Sequence, residues 1–248
     1  MIDQALITLC TTAAIIGFTH TLIGPDHYLP FIMLGRAGKW SLAKVTIITI
    51  LCGIGHVLSS IILGVIGGVF GVALNKLVDI ESLRGDIAFY MLVGFGAAYF
   101  IWGIRYALRS RPHEHGHIHA DDGEVASLRD SLRSPHSHGH SHLSSHSHPH
   151  QGNLTAVWTL FIIFVLGPCE PLIPILMFPA MTYNWFGVGM VSAVFGTVTV
   201  TTMTVIVILV YKGMDRLKIQ WSFLEKWSHA LAGFAIAIAG LIIKIFGV

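Results

Sequence analysis

The chain has 248 residues, 54% of them hydrophobic and only 11% Asp, Glu, Lys or Arg, with a formal charge of +2 and a mean hydropathy of +0.71. A soluble domain has about a quarter of its residues charged, so this composition cannot cover a water-facing surface and reads as a multi-span membrane protein. The near-neutral charge implies no nucleic-acid partner, and the three well-separated cysteines, Cys10, Cys52 and Cys169, form neither a disulfide framework nor a thiolate zinc cluster.

The first apolar segment runs from about Ile2 to Ile23 and reads as a retained span, since it has no basic leader and no small-residue cleavage site. It leads into His20-Thr21-Leu22-Ile23-Gly24-Pro25-Asp26-His27. Proline removes a donor and clashes with the preceding turn, so a discontinuous helix is expected here, with two imidazoles and a carboxylate at the break. An ionisable group at membrane depth costs about 3 kcal/mol by insertion scales and marks a functional site by default.

Segment two begins near Trp40 or Ser41 and stays apolar to Leu74, longer than one straight span requires. His56 lies in its centre, and Gly64, Gly67, Gly68 and Gly71 in its tail predict close helix contact, a kink or a re-entrant end. Residues 75–86 read as a loop of mixed charge, and segment three as about Ile87 to Leu108.

Of the 15 histidines, 11 fall between His113 and His150. Residues 109–152, with almost nothing apolar to bury, read as a disordered linker. Its His-rich composition suits chelation of a borderline divalent ion, for sensing, buffering or delivery. Segment four, from about Ala156 to Met177 or Met181, carries a second break, Gly167-Pro168-Cys169-Glu170-Pro171. Segment five, Trp185 to Tyr211, has a run of hydroxyls from Thr197 to Thr204 that reads as packing or as a polar lining. Residues 212–226 read as an amphipathic surface piece. Segment six, about His229 to Phe246, places Gly233, Ala237 and Gly240 for helix packing.

The two Gly-Pro breaks align, and Trp40 and Gly53 match Trp185 and Gly196 at similar spacing. The expected fold is an all-α polytopic membrane protein. Its six transmembrane helices form two inverted three-helix repeats, 1–108 and 153–248, with helices 1 and 4 broken and the 109–152 linker between the halves. Inverted repeats with broken helices place a transport site near the bilayer midplane. Twelve Lys and Arg residues fall in or beside the loops after segments one, three and five, against three on the other side. The positive-inside rule then sets both termini outside and the histidine-rich linker in the cytoplasm, as in a cell or inner membrane.

Imidazole suits nickel, cobalt, copper and zinc, and a carboxylate lowers the charge cost of a divalent ion. His20, Asp26, His27 and His56 supply such a metal set, and Cys169 and Glu170 complete or alternate it from the second half. For Cys169 a small buried hydrophobe is the other reading. No nucleotide-binding glycine loop and no ATPase-sized soluble domain are present, so the residues point to secondary transport rather than catalysis.

These residues resemble the nickel/cobalt transporter superfamily, which includes nickel-cobalt permeases, nickel/cobalt efflux proteins and urease-accessory-type membrane proteins. The shared marks are a histidine followed shortly by Asp-His, here His20 and Asp26-His27, and a Gly-His in the next span, here Gly55-His56. The resemblance implies Ni(2+) or Co(2+) as transported substrate, with Zn(2+) a third candidate. Implied partners are that ion, the lipid bilayer and a metal chaperone or metalloenzyme maturation protein. Two alternatives stand beside it. The Pro168-Cys169 break also looks like the motif of membrane thiol-electron carriers in cytochrome c maturation, which need a second, resolving cysteine. Export of a small organic or anionic solute is the other.

Overall fold

A computed structural model describes residues 4–109, 151–167, 169, 171–181, 185–216 and 222–246. Among them are eight α-helices: α1 (Gln4–Ile23), α2 (Leu29–Ala37), α3 (Leu42–Val69), α4 (Leu74–Arg109), α5 (Gln151–Leu166), α6 (Leu172–Met181), α7 (Trp185–Arg216) and α8 (Ser222–Phe246). Five of these, α1, α3, α4, α7 and α8, are long and apolar enough to cross a bilayer. With that composition the chain is an all-α, multi-pass membrane protein.

The apolar residues are distributed for lipid. On α3, Ile47, Leu51, Ile54, Leu58, Ile62 and Ile66 recur every three or four residues and are all about half exposed. The opposite stripe, Val45, Ile48, Cys52, His56 and Ser60, is buried. A stripe at helical period facing outward, with the polar residues inward, is the soluble pattern inverted.

Local signals explain the ends. Ser41 caps α3, its hydroxyl accepting from the Lys44 N–H at 3.3 Å. The C-terminus of α3 is a Schellman motif: Val72 N–H reaches Gly67 O at 2.9 Å and Gly71 N–H reaches Gly68 O at 3.3 Å. This needs Gly71 at φ +62°, a conformation glycine adopts without steric cost. The chain therefore turns cleanly at Gly71, and no re-entrant tail follows.

One expectation is overturned here. Residues 75–86 are not a loop: α4 begins at Leu74 and runs unbroken through them. Three of their charges pair within the bundle, Glu81 with Arg84 and Asp86 with Lys244 of α8, while Lys76 and Asp79 stay exposed. The helices also extend past several sequence-based limits, α7 to Arg216 and α8 back to Ser222. Of the 109–152 linker, Arg109 closes α4 and Gln151 opens α5, and residues 110–150 lie outside the described residues.

Both breaks form. At the first, Pro25–His27 makes a single 3-10 turn between α1 and α2. At the second, α5 ends at Leu166 and α6 begins at Leu172. Each half thus reads long helix, break, short proline-bearing helix, long helix, long helix. Packing between the halves follows the same pairing: α1 lies on α7 and α5 on α3, while α3 meets α7 and α4 meets α8. A Cβ at Gly53 would lie 3.2 Å from Val200, and one at Gly196 would lie 3.2 Å from Val57. Each valine stands four residues beyond the glycine it matches across the halves. The α4–α8 contact is the closest, because Gly96 and Gly103 face the backbone of Ala237 and Ala230, and Gly233 faces that of Phe100.

Candidate metal centre

The 3-10 turn brings His27 under the end of α1, and α3 crosses beside it. The His20 and His27 ring centroids are 4.8 Å apart and those of His27 and His56 are 5.2 Å apart, each pair edge to face. One nitrogen from each of these three rings lies within 4.8 Å of the others. The Nε2 atoms of His20, His27 and His56 are all buried, and none has a hydrogen-bond partner. Buried polar atoms are nearly always satisfied, so three clustered rings that each keep an unpartnered nitrogen form a site built for something else.

The other nitrogens explain the aim. His27 Nδ1 donates to the Asp26 carboxylate at 2.9 Å. His56 Nδ1 donates to the Phe164 carbonyl at 3.2 Å. A proton held on Nδ1 leaves the Nε2 lone pair free, as in carboxylate–histidine–metal arrangements. Phe164 can accept because α5 stops at Leu166, so its carbonyl receives only a tight-turn bond from the Gly167 N–H at 3.1 Å and keeps a lone pair for His56. The two break glycines make room. A Cβ at Gly24 would sit 2.7 Å from His27 Nδ1 and 2.8 Å from the Asp26 carboxylate, and one at Gly167 would sit 3.2 Å from His56 Nδ1. Each break thus presses against a site imidazole.

The sequence-expected residues separate into three groups. His20, His27 and His56 converge. Asp26, about one-third exposed, is bonded to the outer nitrogen of His27. Cys169 is fully buried elsewhere, its N–H donating to Ser60 Oγ and to the Glu81 carboxylate. Glu170 lies outside the described residues. Two contributors were absent from the sequence reading. The Phe164 carbonyl is backbone and has no residue signature. Glu81 was masked by its charged neighbours, although Glu81 and Arg84 at i,i+3 are spaced to pair on one helix face.

A cavity of about 540 Å³ joins the three histidines to the surface. Its walls come from α1, the first half of α4 (Ser82 to Leu92), the ends of α5 and α8, and the second break. It therefore occupies the half of the bundle away from Arg109 and Gln151. Asp86 and Lys244, each about half exposed and paired with one another, stand on its wall. The threonines of α7 do not line it: Thr197 and Thr201 border a shallow groove against α3, and Thr199 is buried near Gly17 of α1.

Three converging imidazoles with an open approach suit a borderline divalent ion. Metal–nitrogen bonds of about 2.1 Å in tetrahedral geometry place the nitrogens roughly 3.4 Å apart. Separations of up to 4.8 Å thus leave the rings to close by about an ångström around an ion. The chain is a membrane protein with a buried histidine cluster able to coordinate a metal ion. No family model, curated protein or solved structure matches it.

Proposed function

We propose that the protein is a secondary transporter for divalent transition-metal ions, nickel or cobalt before zinc, with His20, His27 and His56 as the transit ligands. The observation that carries this reading is the convergence of three imidazoles, each with a buried and unpartnered Nε2, beside a broken helix at the middle of α3. Mid-helix depth is where inverted-repeat transporters hold their cargo. Nitrogen ligands alone, set slightly too wide, support capture that remains reversible.

In this reading the molecule is six spans in two inverted halves, α1–α2 and α5–α6 each counting as one broken span. Both termini lie outside and residues 110–150 lie in the cytoplasm, where their histidines exchange ions with a chaperone or maturation protein. The cavity then faces the side opposite those histidines. Asp26 acts through His27, and Cys169 and Glu170 belong to the second break. Imidazole must be unprotonated to bind metal, so acid weakens loading and ion binding releases or excludes protons.

The test is metal content and calorimetric binding of purified protein lacking residues 113–150, followed by nickel and cobalt flux in vesicles. One tightly held nickel or cobalt per chain, lost in His27→Ala along with flux, is the expected result. Binding unchanged in His27→Ala would overturn the assignment.

A further inference from the structure

The histidine site leaves unused one charge that is costly to bury. Glu81, in the early part of α4, is fully buried. One carboxylate oxygen accepts from the Ser60 hydroxyl and from the Cys169 N–H at the second break; the other accepts from the Arg84 guanidinium. Arg84 then spends its second amino group on two further acceptors, the Ser59 hydroxyl at 2.8 Å and the Val165 carbonyl at 2.9 Å. Ser59 in turn donates to the backbone carbonyl of His56 at 2.8 Å.

A buried ion pair gains little stability over a well-packed apolar pair, because desolvation offsets the attraction. Its persistence here calls for a positional reason, and the contacts give one. Arg84 reaches His56 from two sides. Through Ser59 it holds the His56 backbone. Through Val165 it holds the last turn of α5, whose neighbouring carbonyl, Phe164, receives the His56 Nδ1–H. Glu81 meanwhile fixes the break that ends α5, through Cys169.

We infer that, given the metal site proposed above, Glu81 and Arg84 are positioning residues: a clamp joining α3, α4, α5 and the second break that sets the orientation of the His56 ring and hence the ion affinity of the site. Arginine is suited to this because one planar guanidinium serves a carboxylate, a hydroxyl and a carbonyl at once, which the lysine ammonium cannot reproduce in the same geometry. Outer partners of metal-binding histidines are worth about 10- to 100-fold in affinity.

The experiment is a cobalt titration of the full-length protein, read as the difference from full-length His56→Ala so that the histidines of 113–150 cancel. Arg84→Lys keeps the charge beside Glu81 but loses the reach to Ser59 and Val165. It is expected to bind cobalt about tenfold more weakly or worse and to shift the cobalt ligand-field bands, while remaining monodisperse. Glu81→Gln is expected to do the same, with partial recovery in Glu81→Asp. A monodisperse Arg84→Lys protein with wild-type affinity and bands overturns the clamp, even if Glu81→Gln fails to fold. If wild type and His56→Ala titrate alike, the histidine site itself falls, and the clamp with it.

Discussion

At the residue scale, the division of labour within each imidazole decides the chemistry. His27 has one nitrogen committed to Asp26 and the other left open, so Asp26 governs the basicity and angle of a ligand. Asp26→Asn keeps the shape but removes the charge. It is expected to lower ion affinity by about 10- to 100-fold, measured calorimetrically, with the helix content unchanged. Gly24→Ala should act on the same pair from behind, since its methyl would overlap both His27 Nδ1 and the Asp26 carboxylate. Histidines were legible in the sequence because each stands alone in an apolar run. The contact of Asp26 was not: the sequence placed it in the metal set beside His27, and only the turn geometry shows its carboxylate on His27 Nδ1.

At the element scale, glycine placement divides positions that touch from positions that do not. Gly103 and Gly233 meet the facing backbone, whereas Gly94, on the same helix as Gly103, has nothing within 4 Å. Gly103→Val is therefore expected to force α4 and α8 apart and lower the thermal midpoint sharply. Gly94→Ala should be neutral, or stabilising by roughly 0.5–1 kcal/mol from helix propensity, and parallel melts in detergent compare the two directly. The small-residue pattern of α8 was readable from spacing alone. The start of α4 was not: Glu81, Arg84 and Asp86 look like solvated loop until the partners Ser60, Cys169 and Lys244 are in place. Tertiary pairing, which has no local signature, overrode the composition.

At the scale of the whole molecule, one site draws on both halves. The first half supplies all three imidazoles, and the second supplies the carbonyl that turns one of them. The reciprocal contacts of Gly53 with Val200 and of Gly196 with Val57 are what a two-fold relation between the halves would produce. The sequence carried the matching Gly-Pro breaks from which such a relation is expected, but not which atoms would meet between the halves. Because the three imidazoles that converge among the described residues come from α1, the 3-10 turn and α3, deleting residues 113–150 should leave membrane insertion and the proposed ion site intact, removing only weaker, multiple binding. Elemental analysis of the purified deletion protein reads this directly.

The placing of charge around the histidine cluster has an electrical consequence. Asp86 and Lys244 cancel one another on the cavity wall, which leaves Asp26 as the formal charge bonded to the site. In the proposed transporter a divalent ion seated there would be only half compensated, so the loaded centre would carry a net charge of about +1 across part of the bilayer's voltage drop. The membrane potential acts on such a charge with about 2.3 kcal/mol per 100 mV over the full thickness. On that reading occupancy of the site is coupled to voltage by the charge that the single carboxylate beside His27 leaves uncompensated.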